Sequence, residues 1–409
     1  MIWNLSKKQK YLLISTSGGF LLWGIVSAIA PLAIYWSFMQ NEPKFYISFV
    51  LIIGPIFLII GNIILGIISD KIGRKKIFIL TLFIYILGII IIAISLNLET
   101  LLLGLAISQF AVGGEEPPAL ALLSENFSYI KRTKTLTLIP NFVNIGSLIA
   151  ALIFLLSFLS SEESQRLSLI FITAVIFFIL IYTRIQIPES YLWLKDKGKA
   201  KEAEEIKKDI FIEENGKKIK IPDLKISFIV LVLLGTSQYM SFWLMAIAIG
   251  PYIFPSLTNL IIFIASFGAS IGAFVAIPIL EKGKKKFTFL SFLGGFLTIM
   301  GIFILNSYLK NIIIFMSLLF INMIFSELAW VSRTNLEPEV FKTLRRTTMI
   351  GLVRVLPISL YIIALIVTVN FNIYQFILMN VILWLVGLLG SIIWIFKGVE
   401  TKDVSIDYN

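Results

Sequence analysis

Twelve runs of about 20 mainly apolar residues divide the chain, and short polar segments separate them. The runs are centred near residues 25, 57, 87, 112, 147, 176, 240, 269, 297, 320, 356 and 384. A helix rises ~1.5 Å per residue, so each run is long enough to cross a hydrocarbon core of ~30 Å. The pattern predicts an all-α membrane protein with twelve transmembrane helices, numbered here spans 1 to 12. The first run resembles a signal peptide but lacks a small-residue cleavage site, so it is interpreted as span 1.

The longest polar segment, residues 187–225, separates the first six runs from the last six. Its charged, helix-favouring composition predicts one or two amphipathic helices on the membrane surface, where its lysines would be attracted to anionic headgroups. The expected organisation is an N-terminal six-helix bundle at residues 1–186, this linker, and a C-terminal six-helix bundle with a short tail at residues 226–409.

The two halves repeat each other at nearly constant offsets. Span 1 carries Thr16, Trp23 and Pro31, and span 7 carries the same residue types 220 positions later. The loops after spans 2 and 8 share an acid, a glycine and several lysines with an offset of 211, and Glu, Phe and Arg recur after spans 4 and 10 with an offset of 214. The chain is therefore interpreted as a duplicated, pseudo-symmetric six-helix unit. Many transporters are built this way, with the binding site between the repeats.

The composition agrees with a membrane protein, and the charges predict its orientation. Hydrophobic residues make up 58% of the chain and charged residues 14%, against about a quarter in soluble proteins. The net charge is +11, but 29 of the 35 Lys and Arg lie in the two terminal segments and the even-numbered loops. By the positive-inside rule these segments face the cytoplasm, so a plasma-membrane protein with both termini inside is expected. The excess of basic residues is therefore explained by the membrane topology and does not indicate a nucleic-acid partner.

The chain contains no cysteine and no histidine. Disulfides, thiolate metal ligands and imidazole proton relays are therefore excluded. A proton carrier would have to be a carboxylate, with Lys or Tyr as weaker alternatives. The sequence also has no nucleotide-binding loop, metal-ligand cluster or nucleophile–base pair in a recognisable setting. We therefore expect no cofactor, no metal and no enzymatic activity.

The loop after span 2, residues 66–76, reads GIISDKIGRKK. It resembles the signature loop of the major facilitator superfamily, in which Gly, Asp, a basic residue, Gly, Arg and further basic residues recur at this spacing. The matching positions are Gly66, Asp70, Lys71, Gly73, Arg74 and Lys75. With twelve spans and a six-plus-six repeat, the resemblance covers the whole chain. It implies the major facilitator fold and a charge cluster that latches the inner gate of an outward-open state.

Physical reasoning suggests how this cluster would be assembled. Gly66 would let spans 2 and 11 approach closely, as small residues do in membranes. Asp70 would meet the positive N-terminal end of span 11 and pair with Arg74. Glu125 is expected to pair with Arg132, and Glu339 with Arg345 or Arg346. The complete expected gate network is Gly66, Asp70, Gly73, Arg74, Glu125, Arg132, Glu189, Glu339, Arg345 and Arg346.

Two further segments narrow the subgroup. PESYLWLKDKGKAKEA, from Pro188, resembles the segment after span 6 in sugar porters and metabolite:proton symporters, although it departs at Tyr191 and Leu192. GGEEPPALALLSE resembles helix 4 of metabolite:proton symporters and organic-ion transporters. Span 5 lacks the Gly-Pro-rich signature of drug:proton antiporters, which argues against drug efflux. Span 7 keeps only Gln238 of the sugar-porter pattern, which puts a sugar substrate in doubt.

Few charged residues lie well inside the spans, and each is a candidate for function because charge in hydrocarbon is costly. They are Glu115 and Glu116 in span 4, Glu327 in span 10 and Arg354 in span 11. Glu327 lies 212 positions after Glu115, within the range of the repeat offsets. Three carboxylates against one guanidinium cannot all be ionised and paired. At least one is therefore expected to bind a proton in some state, as proton coupling requires.

The residues leave several roles open. Glu115 and Glu116 project about 100° apart on a helix, so they cannot both face one cavity. One of them takes part in coupling or substrate binding, or both only stabilise the gate. Arg354 binds a substrate carboxylate, or it is the counter-ion of Glu327 or Glu115. Pro117 and Pro118 lack N–H groups and remove hydrogen bonds within span 4, so the helix is expected to bend beside a polar path.

Polar and aromatic side chains within the spans are weaker candidates for the substrate cavity. These are Trp23, Gln109, Asn141, Asn144, Gln238, Tyr239, Trp243 and Trp330. Together these features predict a secondary active transporter that moves an organic acid or sugar-like metabolite by alternating access, in symport with protons. The alternatives are an uncoupled facilitator or exchanger and, less favoured, a membrane receptor or enzyme. The expected partners are a small-molecule substrate, protons and membrane lipid, and the protein is expected to be a monomer.

Overall fold

The computed structural model describes residues 5–40, 42–156, 161–210 and 223–406, and these are almost entirely helical. In the first half, spans 1 to 6 are Lys7–Ala33, Lys44–Ile72, Arg74–Ala93, Leu98–Asn126, the pair Tyr129–Leu138 and Phe142–Leu155, and Glu162–Gln186. In the second half, span 7 is Leu224–Trp243 continued by the π-helix Leu244–Ile249 and by Gly250–Ile253. Spans 8 to 12 are Thr258–Leu280, Lys284–Ile304, Ile312–Val340, Arg346–Val367 and Ile373–Lys397.

Eleven of the described helices are long and apolar enough to cross a membrane, and span 4 is not among them. Span 4 is as long as its neighbours, at 29 residues, but its centre carries Glu115 and Glu116 followed by two prolines. Every side chain from residue 111 to residue 126 is buried. Span 4 therefore tolerates its polar residues because the surrounding spans cover them, and the helix runs unbroken through Pro117 and Pro118.

The spans form two six-helix bundles with the same packing pattern. In the first bundle span 4 packs against spans 2 and 3, and span 1 packs against spans 5 and 6. In the second bundle span 10 packs against spans 8 and 9, and span 7 packs against spans 11 and 12. The bundles meet where span 2 packs on span 11 and span 5 packs on span 8. These two contacts are equivalent under the repeat, so the molecule has the pseudo-two-fold architecture of the major facilitator fold.

The linker forms two short helices, Tyr191–Asp196 and Ala200–Ile210. The first has buried apolar side chains, and the Trp193 indole N–H donates to the carbonyl oxygen of Asp70 at 3.0 Å. This helix is therefore held against the end of span 2 by protein contacts as well as by any lipid attraction. The rest of the predicted surface linker, residues 211–222, lies outside the described residues.

Glycines set the close approach of spans 2 and 4. A Cβ at Gly113 would collide with the carbonyl oxygen of Leu58, and a Cβ at Gly61 would collide with that of Phe110. Gly66 lies where span 2 meets the backbone of span 11, but a Cβ there would lie 3.5 Å from the Thr347 oxygen, an ordinary contact, so an alanine would also fit.

The tight crossing of spans 2 and 11 lies instead at Gly351. A Cβ at Gly351 would lie 2.5 Å from the carbonyl oxygen of Asn62, closer than a carbon and an oxygen can pack without a shift of backbone.

Replacing Gly113 with Leu is expected to destabilise the protein, because backbone of span 2 occupies the space that the new side chain needs. Overpacking of this kind costs about 1–3 kcal/mol. The midpoint of thermal unfolding in detergent should fall by several degrees. Gly301→Leu is the matched control, because nothing lies within 4 Å of a Cβ at that glycine of span 9. Equal midpoints for the two variants would show that the glycine contact is not needed.

Candidate functional site

A cavity of about 120 Å³ lies between the two bundles. This is roughly ten times the space that one water molecule needs. Spans 1, 2, 4 and 5 line it from the first bundle, and spans 7, 10 and 11 line it from the second. Its aromatic wall is Trp23, Tyr239, Phe242, Trp243, Trp330 and Tyr361. Its main polar side chains are Gln109, Glu116, Asn144, Gln238, Glu327, Arg333 and Arg354.

The two adjacent glutamates of span 4 have different surroundings. Glu115 points into the first bundle, where it accepts from Arg184 Nη2 at 2.6 Å and from Thr81 Oγ1 at 2.7 Å. Glu116 lines the cavity and forms an ion pair with Arg354 of span 11. This division follows from the ~100° turn per residue of a helix. Of the two, Glu116 is the one that faces the cavity and joins the bundles.

Arg354 has different counter-ions from those expected. It pairs with Glu116 and with Glu337, not with Glu327 or Glu115. Its Nε donates to Glu337 Oε2 at 3.1 Å.

Glu337 in turn accepts from Arg333 Nη2 at 3.0 Å, and Arg333 Nη1 donates to Gln238 Oε1 at 2.7 Å. Neither Arg333 nor Glu337 was among the candidates named from the sequence. Their spacing of four residues places them on one face of span 10, and this spacing could have indicated an ion pair from the sequence.

Glu327 is the one buried carboxylate in the described core of the spans that has no cationic partner. The count of three carboxylates against one guanidinium needs correction, since Glu115 has Arg184 and the pair Glu116 and Glu337 is matched by Arg333 and Arg354. Four carboxylates therefore face three guanidiniums, and Glu327 is left over.

Glu327 is only 2% exposed. Its Oε2 accepts from Asn144 Nδ2 at 2.8 Å, and its Oε1 has no hydrogen-bond partner in the described part of the chain. An isolated carboxylate in such surroundings is far more stable with a proton.

Asn144 connects Glu327 to the first bundle. Its amide nitrogen also lies 2.9 Å from Asn141 Oδ1, and Asn141 Nδ2 donates to the carbonyl oxygen of Ser270 in span 8 at 3.1 Å. Asn141 itself does not line the cavity, whereas the other seven weaker candidates do. The two asparagines of span 5 therefore bridge to spans 8 and 10 beside the unpaired carboxylate.

At the end of the molecule that carries both termini, charged side chains join the bundles. Asp70 accepts from the backbone nitrogen of Thr348, the second residue after the start of span 11, at 2.8 Å, and lies 3.4 Å from Arg74. Such a carboxylate is stabilised by the helix N-terminus as well as by the guanidinium. Glu125 pairs with Arg346 of the other half, and Arg74 Nη2 also lies 3.4 Å from it.

The ion pairs cross between the halves, whereas the sequence predicts the pairs Glu125–Arg132 and Glu339 with Arg345 or Arg346. Glu125 instead pairs with Arg346, and Arg132 lies 3.1 Å from Glu339. Arg345 is exposed. Lys284, at 2.6 Å from Glu339, was missed. Lys284 follows span 8 at the position that Arg74 occupies after span 2, so the repeat could have identified Lys284 as a member of the gate network. Crossed pairs hold the bundles together, which pairs within one half could not do.

Two carboxylates cap equivalent helices at this end. Glu189 accepts from the backbone nitrogens of Arg74 and Lys75, each at 3.1 Å, so it contacts the start of span 3. Glu400 accepts from the nitrogens of Lys284 and Lys285 at 3.0 and 3.1 Å, which is the same arrangement at span 9. Burial raises the pKa of the Glu189 carboxyl, against the opposing effect of the backbone N–H donors and the Arg74 guanidinium.

Gly73 and Gly283 make the sharp turns that bring these helix starts under the caps. Their φ angles are 111° and 133°, a region that residues with a side chain rarely adopt. The C-terminal tail also reaches the gate, because the carbonyl oxygen of Val404 accepts from Arg132. These contacts close the cavity at the end that carries the termini.

Replacing Glu125 with Gln should loosen this closed end, because Arg346 and Arg74 would lose a buried anionic partner. The chain has no cysteine, so a single Thr137→Cys reporter can be read without background. Thr137 is fully buried and accepts from Asn335 of the other half at 3.2 Å. Labelling by a small thiol reagent should rise several-fold in the Glu125→Gln background. The exposed Lys199–Glu202 pair supplies the control, since Glu202→Gln should leave labelling unchanged.

Similar proteins agree with this architecture. The family model described as Major Facilitator Superfamily matches residues 12–356. The chain is 32% identical over 168 residues to the putative niacin/nicotinamide transporter NiaP of Bacillus subtilis (strain 168), covering 41% of this chain and 40% of that protein. It is 30% identical over 176 residues to the niacin transporter NiaP of Acinetobacter baylyi, covering 43% and 38%. The match thus spans about two fifths of the length of these relatives.

Among solved structures, the proton:xylose symporter XylE bound to 6-bromo-6-deoxy-D-glucose superposes with a TM-score of 0.79, over 98% of both chains. A partially occluded inward-open conformation of XylE from E. coli gives 0.71. Identity is 15% in both cases, so this likeness concerns the fold alone. Because the family model extends over most of the chain and the twelve-span fold agrees with it, this protein belongs to the Major Facilitator Superfamily, a family of membrane transporters.

Proposed function

We propose that the protein is a secondary active transporter that carries a small polar metabolite across the plasma membrane by alternating access, in symport with protons. The cavity between two pseudo-symmetric bundles supports this proposal, because rocking of the bundles would expose it to each side in turn. One chain is sufficient to form the cavity, and the protein is proposed to act as a monomer surrounded by lipid.

The charged end of the molecule faces the cytoplasm in this proposal. Both termini, the linker helices and the lysine-rich loops lie there, as the positive-inside rule requires. The same end is closed by crossed ion pairs such as Glu125–Arg346 and Arg132–Glu339. At the opposite end the bundles meet through neutral hydrogen bonds, such as Tyr35 Oη to Thr258 Oγ1 at 3.1 Å. Neutral bonds are weaker than charge-assisted ones, so the outer side opens first.

The observation that carries proton coupling is the unpaired Glu327 on the cavity wall. A proton neutralises it while the cavity faces outwards. Opening towards the cytoplasm separates the bundles and removes Asn144, admits water and lets the proton leave. Symport follows if substrate binds only when Glu327 is neutral, because the two ligands then enter and leave together.

The aromatic wall and the named relatives suggest the substrate. Six aromatic side chains surround the cavity, which suits a flat ring that can stack on a π face. Two relatives are named for niacin or for niacin and nicotinamide. We therefore narrow the expected organic acid or sugar-like compound to a small aromatic metabolite of the pyridine type.

Glu327→Gln should abolish proton-driven accumulation, because glutamine keeps the neutral hydrogen-bonding shape but cannot release a proton. In proteoliposomes with an inward proton gradient, accumulation of labelled nicotinamide or nicotinate should fall by at least about tenfold. A tenfold change corresponds to a free-energy difference of ~1.4 kcal/mol. Exchange of substrate between the two sides without a gradient should persist. Glu99→Gln is the control, since Glu99 is an exposed carboxylate in the first turn of span 4.

Two outcomes would contradict the proposal in different ways. Full gradient-driven accumulation by the Glu327→Gln variant would remove Glu327 from the coupling step. A wild-type protein that transports at the same rate with and without the gradient would be an uncoupled facilitator or exchanger of the same fold.

A further inference from the structure

A chain of three hydrogen bonds joins the backbone of span 8 to the unpaired carboxylate of span 10. Asn141 Nδ2 donates to the carbonyl oxygen of Ser270 at 3.1 Å. Asn144 Nδ2 donates to Asn141 Oδ1 at 2.9 Å and to Glu327 Oε2 at 2.8 Å. All four residues are buried. Both asparagines belong to span 5, so the first bundle supplies the amides that lie between two spans of the second bundle.

A break in span 5 places the first of these amides. Residues 139–141 lie between the helices Tyr129–Leu138 and Phe142–Leu155, and Pro140 has no N–H with which to continue the helical hydrogen bonds. Asn141 is the residue directly before the second helix. Asn144 lies three residues later, a spacing at which helical side chains are neighbours. The local sequence of span 5 therefore brings the two amides together.

The carbonyl oxygen of Ser270 fixes the direction of the whole chain. A carbonyl oxygen accepts and cannot donate, so Asn141 must turn its amide nitrogen towards span 8 and its Oδ1 towards Asn144. Asn144 must then present its own nitrogen to Asn141, and the second N–H of that nitrogen points to Glu327. A free amide could offer either its nitrogen or its oxygen. Here Glu327 meets a donor and never an amide acceptor.

Span 8 also confines Glu327. A Cβ at Gly272, two residues after Ser270, would lie 2.7 Å from the Cβ and 3.1 Å from the Cγ of Glu327. The missing side chain at Gly272 thus lets the stem of Glu327 pack against span 8. The carboxyl group is held between span 8 and Asn144.

No charged side chain in the described structure competes with Asn144 for Glu327. Spans 5, 8 and 9 pack on span 10, but their titratable side chains lie only near the end that carries the termini. The titratable residues that share the cavity with Glu327 come from spans 4, 7, 10 and 11, and in the described chain none forms an ion pair or hydrogen bond with it. They are Glu116, Tyr239, Arg333, Arg354 and Tyr361.

We propose that Asn141 is a positioning residue for proton exchange at Glu327, because it holds the Asn144 amide with its nitrogen towards the carboxyl. A donor at this place stabilises the ionised form of a carboxylate, which burial without a cation would otherwise disfavour. The proton therefore stays exchangeable. Asn141 acts through Asn144 and does not itself line the cavity. This role rests on the proposed function, in which Glu327 carries the proton.

Asn141→Leu should make Glu327 keep its proton to higher pH. Without Asn141 the Asn144 amide is free to turn, and its oxygen can accept from the protonated carboxyl. The neutral form of Glu327 gains a partner and the ionised form loses one. The midpoint of Glu327 protonation should rise by about one pH unit, the shift that loss of one hydrogen bond to a charged group produces.

The measurement is infrared difference spectroscopy on the purified full chain over a series of pH values, which needs no substrate and no gradient. The carboxyl carbonyl band that is absent from Glu327→Gln belongs to Glu327. In the wild type this carbonyl accepts from Asn144, so its band should lie at the lower frequency of a hydrogen-bonded carbonyl. In Asn141→Leu the band should move to higher frequency, and its titration midpoint should move to higher pH.

Thr334→Val is the matched control. Thr334 Oγ1 of span 10 donates to the carbonyl oxygen of Leu136 in span 5 at 3.0 Å, so this variant also removes a buried hydrogen bond between the bundles. It leaves the surroundings of Glu327 intact, and its midpoint should equal that of the wild type. Asn144→Leu removes the donor itself and should raise the midpoint at least as far as Asn141→Leu does. An equal rise in Thr334→Val would assign the effect to loosened packing and overturn the role of Asn141.

The remaining outcomes separate this role from the proposed function. An unchanged midpoint and frequency in Asn141→Leu would refute the positioning role and leave Glu327 as the proton carrier. If that variant does not fold, a wild-type band at the frequency of a free carbonyl would refute the role by itself. A wild type without any titrating band that depends on Glu327 would instead refute proton exchange at Glu327, and with it the proposed coupling.

Discussion

The structure depends on one constraint, which is that charge buried among apolar helices must be matched. The spans place Glu115, Glu116, Glu337 and Glu327 out of contact with bulk water, and only the first three meet a guanidinium. An unpaired buried ion is far more costly than an unpaired neutral group. Each pair between two helices therefore fixes the position of both, and Glu327 is the one of these four carboxylates that has no guanidinium partner.

The same constraint explains the difference between the two ends of the molecule. The repeat supplies each half with an acid near the end of an even-numbered span and an arginine near the start of the following span. Pairing within each half would satisfy the charges but would leave the halves independent. The crossed pairs Glu125–Arg346 and Arg132–Glu339 satisfy the same charges and also join the bundles. The closed end beside the charged loops is thus a consequence of how repeated charges are matched.

Acids at equivalent positions of the two halves have different partners. Glu115 and Glu327 lie at nearly equivalent positions of spans 4 and 10, yet only the first has an arginine, because span 6 supplies Arg184 and the described part of span 12 has no counterpart near Glu327. The same repeated position therefore holds a paired carboxylate in the first half and a carboxylate without a guanidinium partner in the second. The glycine turns and the caps at Glu189 and Glu400, by contrast, have kept their symmetry.

The sequence by itself determined the number of spans, the duplication and the family, because these follow from hydrophobic length and from short motifs that are local in the chain. It also identified Glu116, Glu327, Arg354 and most of the aromatic wall as intramembrane residues of interest. Only the tertiary structure decided which acid meets which arginine. Glu115 and Glu116 are adjacent in the chain, but their side chains project in different directions from span 4 and meet different arginines. Arg346 contacts Glu125 although the two residues are 221 positions apart in the chain. Ion pairing depends on distances of a few ångströms between distant helices, and no local pattern of residues encodes such distances.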